Sequence, residues 1–143
     1  MDWINKRVLI LEGYARQSLA LAKEFNKLGC DVSALCGSKL DVCYNSRYVK
    51  HKILGICDRE KIEETTNQIR TLLQSGKFDL VVPTVDFSAA ILSKNKKEFT
   101  RYAKVMSNDW DVYKIAGDKN KTMEKCAKIN VPHPNTAHNI TSL

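Results

Sequence analysis

Directly after Arg7 the chain reads Val8-Leu9-Ile10-Leu11, with no polar residue in the run. A short segment that is apolar at every position suits a strand covered on both faces. That requirement points to a parallel sheet with helices packed on either side. The residues that follow agree. Glu12-Gly13 ends the run. From Ala15 to Leu28 the apolar positions Leu21, Phe25 and Leu28 recur at helical spacing, with Leu19 and Ala22 beside them and Gly29 as the stop. Asp31 to Cys36 (DVSALC) then reads as a second strand. Strand, tight turn, helix and strand make a βαβ start, whose crossover is right-handed.

The same alternation continues. Gly37 to Arg47 is polar and aperiodic, a loop, and Tyr48 to Leu54 alternates as a third strand. Arg59 to Gln74 places Ile62, Thr65 or Thr66, Ile69, Leu72 and Leu73 on one helical face, with Asp58 as the expected N-cap and Gly76 beyond the end. Asp79 to Pro83 is the fourth strand, closed by a proline that cannot donate to a ladder. Thr84-Val85-Asp86 is a turn, Phe87 to Ser93 and Lys96 to Tyr102 are short helices, and Lys104 to Met106 is a short fifth strand. The expected fold is α/β: an open, mostly parallel Rossmann-like sheet of four to five strands with helices on both faces, followed by a helical linker. Residues 1–107 form the sheet domain and 108–143 the linker.

In that linker, Asp111 to Thr122 (DVYKIAGDKNKT) reads as two helices broken at Gly117. Gly117 suits the left-handed position past a helix, and Asp118 suits an N-cap because its carboxylate accepts N–H groups of the first turn. Lys119 and Lys121 then fall in that turn, where the helix dipole disfavours cations by about 0.3–1 kcal/mol each. Either Asp118 offsets two solvated lysines, or an anion docks against them. The second helix runs to about Ile129. Val131-Pro132-His133-Pro134 is extended, because proline disfavours helix in the residue before it. The polar tail from Asn135 to Leu143 closes nothing, as expected of a chain with further domains beyond it.

A length of 143 residues, 43% hydrophobic and 27% charged, suits one soluble domain with a real core. No apolar run approaches the ~20 residues of a membrane span, and the run after Lys6 and Arg7 is too short for a signal core, so a cytoplasmic protein is expected. The five cysteines, Cys30, Cys36, Cys43, Cys57 and Cys126, form no C-x-x-C pair. An odd count is a poor disulfide framework, and reduced thiols in apolar segments are expected rather than a metal site. The net charge of +7 suits an anionic partner such as a nucleotide. The basic residues are spread along helices, with one knot at Lys94, Lys96 and Lys97, and no aromatic-interleaved strip suggests nucleic acid.

In an open parallel sheet the ligand crevice lies at the carboxyl ends of the strands, where strand order reverses. The loops expected there are Glu12 to Arg16, Cys36 to Lys39 and Thr84 to Asp86. Glu12, Gly13, Arg16, Thr84 and Asp86 are therefore candidate crevice residues. Asp86 has the alternative role of capping the helix that follows, and Glu12 and Arg16 are placed to pair across the turn. The first loop carries Gly13, Ala15 and Ser18 where a dinucleotide fingerprint has three glycines. The second lacks the acid that holds a ribose hydroxyl but offers Ser38 and Lys39 to a 2′-phosphate. A stand-alone NADP-binding or nucleotide-binding regulatory module is thus an alternative. No nucleophile–base pair, carboxylate dyad or metal cluster is recognisable, so no catalytic or metal-ligating residue is assigned.

The order VLIL-EG, helix, DVSALCGS, helix, DLVVPTVD, a weak strand at KVM, then IAGDKNKTMEKCAKINVPHPNT resembles the N-terminal pre-ATP-grasp domain of ATP-grasp enzymes. It is most similar to the carbamoyl-phosphate synthase large subunit and biotin carboxylase branch. Asp118-Lys119 and Val131-Pro132-His133-Pro134 match that family's D-K and V-P-x-P elements at the usual separation. The resemblance implies that Lys119 reaches the phosphates of ATP. Lys121 has no role in it. It further implies a parent ligase using ATP and magnesium, acting on a small-molecule carboxylate or amine, with a homodimer left open. The later ATP-binding lobes, the metal carboxylates and a second phosphate lysine would lie beyond Leu143, so this piece alone is expected to be inactive and to hold no cofactor tightly. Tyr14, bulky where the first loop should be open, departs from the pattern.

Overall fold

The computed structural model describes residues 3–134. Its sheet contains β1 (Arg7–Ile10), β2 (Asp31–Cys36), β3 (His51–Leu54), β4 (Leu80–Val82) and β5 (Lys104–Val105). The order is β3-β2-β1-β4-β5, and every pairing is parallel. The chain moves outward from β1 through β2 to β3, then returns across β1 to add β4 and β5. Strand order therefore reverses between β1 and β4, with Leu9 opposite Val81 and Ile10 opposite Val82.

The apolar run after Arg7 is central and covered twice. Val8 and Ile10 join Val32, Ala34, Val82 and the Phe25 ring of α1 (Arg16–Lys27) in one core cluster. Leu9 and Leu11 turn the other way. They pack with Ile69 and Leu73 of α2 (Ile62–Gln74), Ile91 and Leu92 of α3 (Asp86–Lys94) and Phe99 of α4 (Lys96–Phe99). Burying one such side chain stabilises by about 1.5–3 kcal/mol. The connection from β2 to β3 has no helix. Cys43 and Val49 fill the space, with Tyr44 and Tyr48 packed against the same cluster.

Several local expectations shift. The third strand starts at His51, because Tyr48 and Val49 are loop residues that reach the core. Asp58 does not cap α2: the N-cap is Lys61, and the Asp58 carboxylate accepts from the Glu60 N–H in its own turn at 2.9 Å. Leu28 and Ile62 are exposed, whereas Ser18 and Thr65 are buried on the helix faces that pack. Cys30, Cys36 and Cys43 are buried, Cys57 and Cys126 half-buried, and all are free thiols. No helix of the described residues is long and apolar enough to cross a membrane.

The chain divides into two compact units, Met1–Ser107 and Asn108–Leu143. The second contains α5 (Trp110–Ala116) and α6 (Lys119–Lys128), and neither helix has a buried residue. The two helices are tied locally. Trp110 stacks on Tyr113 with centroids 5.8 Å apart, and the Thr122 hydroxyl donates to the Ile115 carbonyl at 2.7 Å. Gly117 is not left-handed: its φ is −79°, and its N–H donates to the Tyr113 carbonyl at 2.8 Å.

Candidate functional site

The carboxyl ends of β1 and β4 meet at Glu12. Its φ of 56° is left-handed, a conformation that costs a non-glycine residue about 1–3 kcal/mol and persists only where surroundings over-determine it. The side chain is 0% exposed. Its Oε2 accepts from the Thr84 N–H and from Thr84 Oγ1, each at 2.9 Å, and Cys57 Sγ donates to Oε1 at 3.6 Å. Ser18 Oγ lies 2.8 Å from Thr84 Oγ1 and donates to the Glu12 carbonyl at 2.7 Å. Gln17 Nε2 donates to the Thr84 carbonyl at 3.0 Å. One carboxylate therefore ties the loop after β1 to the loop after β4.

Burial pushes the Glu12 carboxyl above its ordinary range, and hydrogen bonds from Ser88, Thr84 and Cys57 oppose that rise. Burial, with the Glu12 charge beside it, pushes the Cys57 thiol up to about 12, so this thiol is a donor rather than a nucleophile. Among the described residues every buried side-chain nitrogen or oxygen has a partner. Glu12 is consequently a brace that sets the walls of the switch point.

Gly13 is enclosed as well. Its N–H donates to the Leu35 carbonyl at 2.8 Å, and its carbonyl accepts from the Cys43 N–H at 2.9 Å. A Cβ there would stand 2.3 Å from Cys36 Sγ. The glycine permits β1 and β2 to pack closely, and its amide is spent internally. This geometry lends nothing to the dinucleotide-cradle alternative. In the second loop Ser38 Oγ accepts from the Leu40 N–H at 3.1 Å, and the Lys39 carbonyl accepts from Asn45 Nδ2 at 2.7 Å.

Arg16 is exposed as the first residue of α1 and forms no ion pair with Glu12, whose carboxylate faces the interior. Asp86 is the first residue of α3 and not its cap, which is Val85 without a side-chain bond. Its charge still favours that helix end through the dipole. In the other unit Asp118 is the expected cap, accepting from the N–H groups of Asn120 at 3.0 Å and Lys121 at 3.3 Å. Those backbone donors, Lys121 first, hold its carboxyl below the ordinary range. Lys121 Nζ lies 3.5 Å from Asp118 Oδ2, while exposed Lys119 makes no ion pair among the described residues.

Structure brings Glu12 and Thr84 together and adds Ser18, Ser88, Gln17 and Cys57. The sequence signal for these was faint. A serine at a small-residue position of the first helix was visible only as a packing residue, and Cys57 sits 45 residues from the carboxylate it meets.

No family model matches the chain, and no curated protein matches it. Solved structures do. An L-amino acid ligase from Bacillus licheniformis superposes with a TM-score of 0.70 at 17% identity, over 92% of this chain and 32% of that one. The ADP complex of N5-carboxyaminoimidazole ribonucleotide synthetase gives 0.61 at 14% identity, over 90% of this chain and 30% of that one. The chain thus spans about a third of the length of either. What this chain shares with both is the fold, here a five-stranded, all-parallel Rossmann-like α/β sheet with helices.

Proposed function

We propose that the chain is the N-terminal part of an ATP-dependent carboxylate–amine ligase resembling carbamoyl-phosphate synthase. The observation that carries this is the fold likeness to an L-amino acid ligase over 92% of the chain, joined to the Gly117-Asp118-Lys119 and Val131-Pro132-His133-Pro134 motifs. In the parent reaction ATP phosphorylates a carboxylate, and an amine nitrogen then displaces the phosphate.

The described residues fit a share of that task. Asp118 is occupied by its own helix and by Lys121, which leaves the Lys119 ammonium free to meet the phosphates as a point charge. Glu12 holds the β1 and β4 loops at a fixed spacing, so Arg16, Thr84 and Asp86 edge a crevice for the small-molecule acceptor. This piece alone is expected to be inactive.

The test is Lys119→Ala in the full-length enzyme. Losing one charge-assisted contact of about 1.5–3 kcal/mol lowers kcat/KM for ATP by roughly 10–100-fold, with an unchanged circular dichroism spectrum. Wild-type ATP kinetics in that variant would remove Lys119 from the ATP site.

A further inference from the structure

Parallel pairing has a second consequence, at the opposite end of the sheet. Because β1, β4 and β5 run the same way side by side, their leading residues Lys6, Arg7, Asp79 and Lys104 gather at one edge. A cavity of about 330 Å³ opens there, walled by Trp3, Phe78 and Tyr102. That volume lies at the lower end of the roughly 300–1,000 Å³ typical of small-molecule sites. It is remote from Glu12 and Thr84, which sit at the carboxyl ends of the same strands.

Its charge is unbalanced. Among the described residues Asp79 is the sole carboxylate in the lining, and Arg7 is its hydrogen-bonding partner, with the Lys6 charge acting on it as well. The guanidinium donates to Asp79 Oδ2 at 3.0 Å and Oδ1 at 2.9 Å, and the Arg7 N–H adds a bond at 2.8 Å. The same guanidinium donates to the Gly76 carbonyl at 3.1 Å, which fixes its plane. Lys6 and Lys104 make no ion pair among the described residues. Among the described residues the lining therefore carries three cations, Lys6, Arg7 and Lys104, to one carboxylate, a surplus of positive charge at an aromatic-walled hollow. The aromatic walls are braced: Trp3 packs on Phe25 with centroids 5.8 Å apart, and Gln74 Nε2 reaches the Tyr102 hydroxyl at 3.5 Å.

We propose that this hollow is a ligand site for a phosphomonoester carrying an aromatic ring, the chemistry of a nucleoside monophosphate. A positive surplus of that size matches a phosphate dianion better than the single charge of a carboxylate, and lysine binds phosphate as a point charge. Aromatic walls give the ring a face to lie against. The ligase assignment plays no part in this, since Lys119 belongs to the other unit.

The experiment uses the whole chain with Trp110→Phe, which leaves Trp3 as the one indole of the original two. Trp3 fluorescence is followed while AMP, adenosine or inorganic phosphate is added. The expected result is a saturable response to AMP that is tighter than to either part alone. It weakens by about tenfold or more in Lys6→Ala/Lys104→Ala and is unchanged in Lys94→Ala, at an exposed lysine of α3. Both lysines are exposed, so the double variant folds, and its urea midpoint verifies that. No saturable response at millimolar AMP overturns the proposal. So does equal binding of adenosine, or a response that survives the double substitution.

Discussion

Gly13→Ala separates a packing glycine from a ligand-cradling one. The position is not among the residues with positive φ, so alanine meets no backbone strain, and only space is at issue. The new Cβ would stand 2.3 Å from Cys36 Sγ, 3.1 Å from the Leu35 carbonyl and 3.3 Å from Cys36 Cα. Cys36 is fully buried within β2 and cannot swing aside. Overpacking typically costs about 1–3 kcal/mol, and so short a contact belongs at the upper end. Reduced entropy of the unfolded chain returns about 0.4–1 kcal/mol. The net expectation is a loss of about 2 kcal/mol in urea unfolding, with an unchanged m-value. Cys36→Ala removes the clashing sulfur and costs about 1 kcal/mol alone through lost packing. The double variant should therefore be less destabilised than the sum, with a coupling of at least about 1 kcal/mol. If Gly13→Ala costs less than about 0.5 kcal/mol, or if the two losses simply add, the steric account of this loop is wrong.

Two carboxylates should respond to pH in opposite senses. Arg7 holds Asp79 down at about 2 against an ordinary 3.8, so its contribution is present above the ordinary value and is lost as pH falls toward 2. The pair is partly exposed, so Asp79→Asn should cost only about 0.5–1 kcal/mol at neutral pH, with the gap to wild type closing in acid. Glu12 is raised by burial, so the native state binds its proton more tightly, and wild type loses stability relative to Glu12→Gln as pH climbs above the ordinary carboxylate value of 4.5. Urea midpoints from pH 3 to 8 report both; a Glu12→Gln curve parallel to wild type would contradict the burial argument.

How far the sequence could be read follows from where the information lies. The second strand was legible to the residue, Asp31–Cys36, because hydrophobicity and flanking glycines are local signals. The first strand and both longer helices were legible for the same reason. The third strand was overdrawn at Tyr48 and Val49, since a hydrophobic residue in a loop that plugs a core looks like one in a strand. Asp58 and Asp86 both sit beside helix starts yet cap neither, because each cap depends on backbone angles that composition does not fix.

Glu12 shows the deeper limit. A charged residue after an apolar strand reads as a solvated turn, and pairing it with nearby Arg16 was the natural local solution. Its real partner, Thr84, is 72 residues away and arrives only because the chain returns across β1 to lay down β4. The reversal of strand order that brings the two loops together also makes a buried carboxylate affordable, because the second loop supplies the N–H and hydroxyl the charge requires. Removing Thr84 Oγ1 thus tests the brace directly. Thr84→Val keeps the N–H bond to Glu12 but removes the hydroxyl that donates to its carboxylate, while Ser18 keeps the Glu12 carbonyl as its acceptor. It should cost about 1–3 kcal/mol and drive the Glu12 carboxyl still higher, as read by urea unfolding and carboxyl-carbon titration. A variant as stable as wild type, with an unmoved Glu12 titration, would mean that the two loops are held by packing alone.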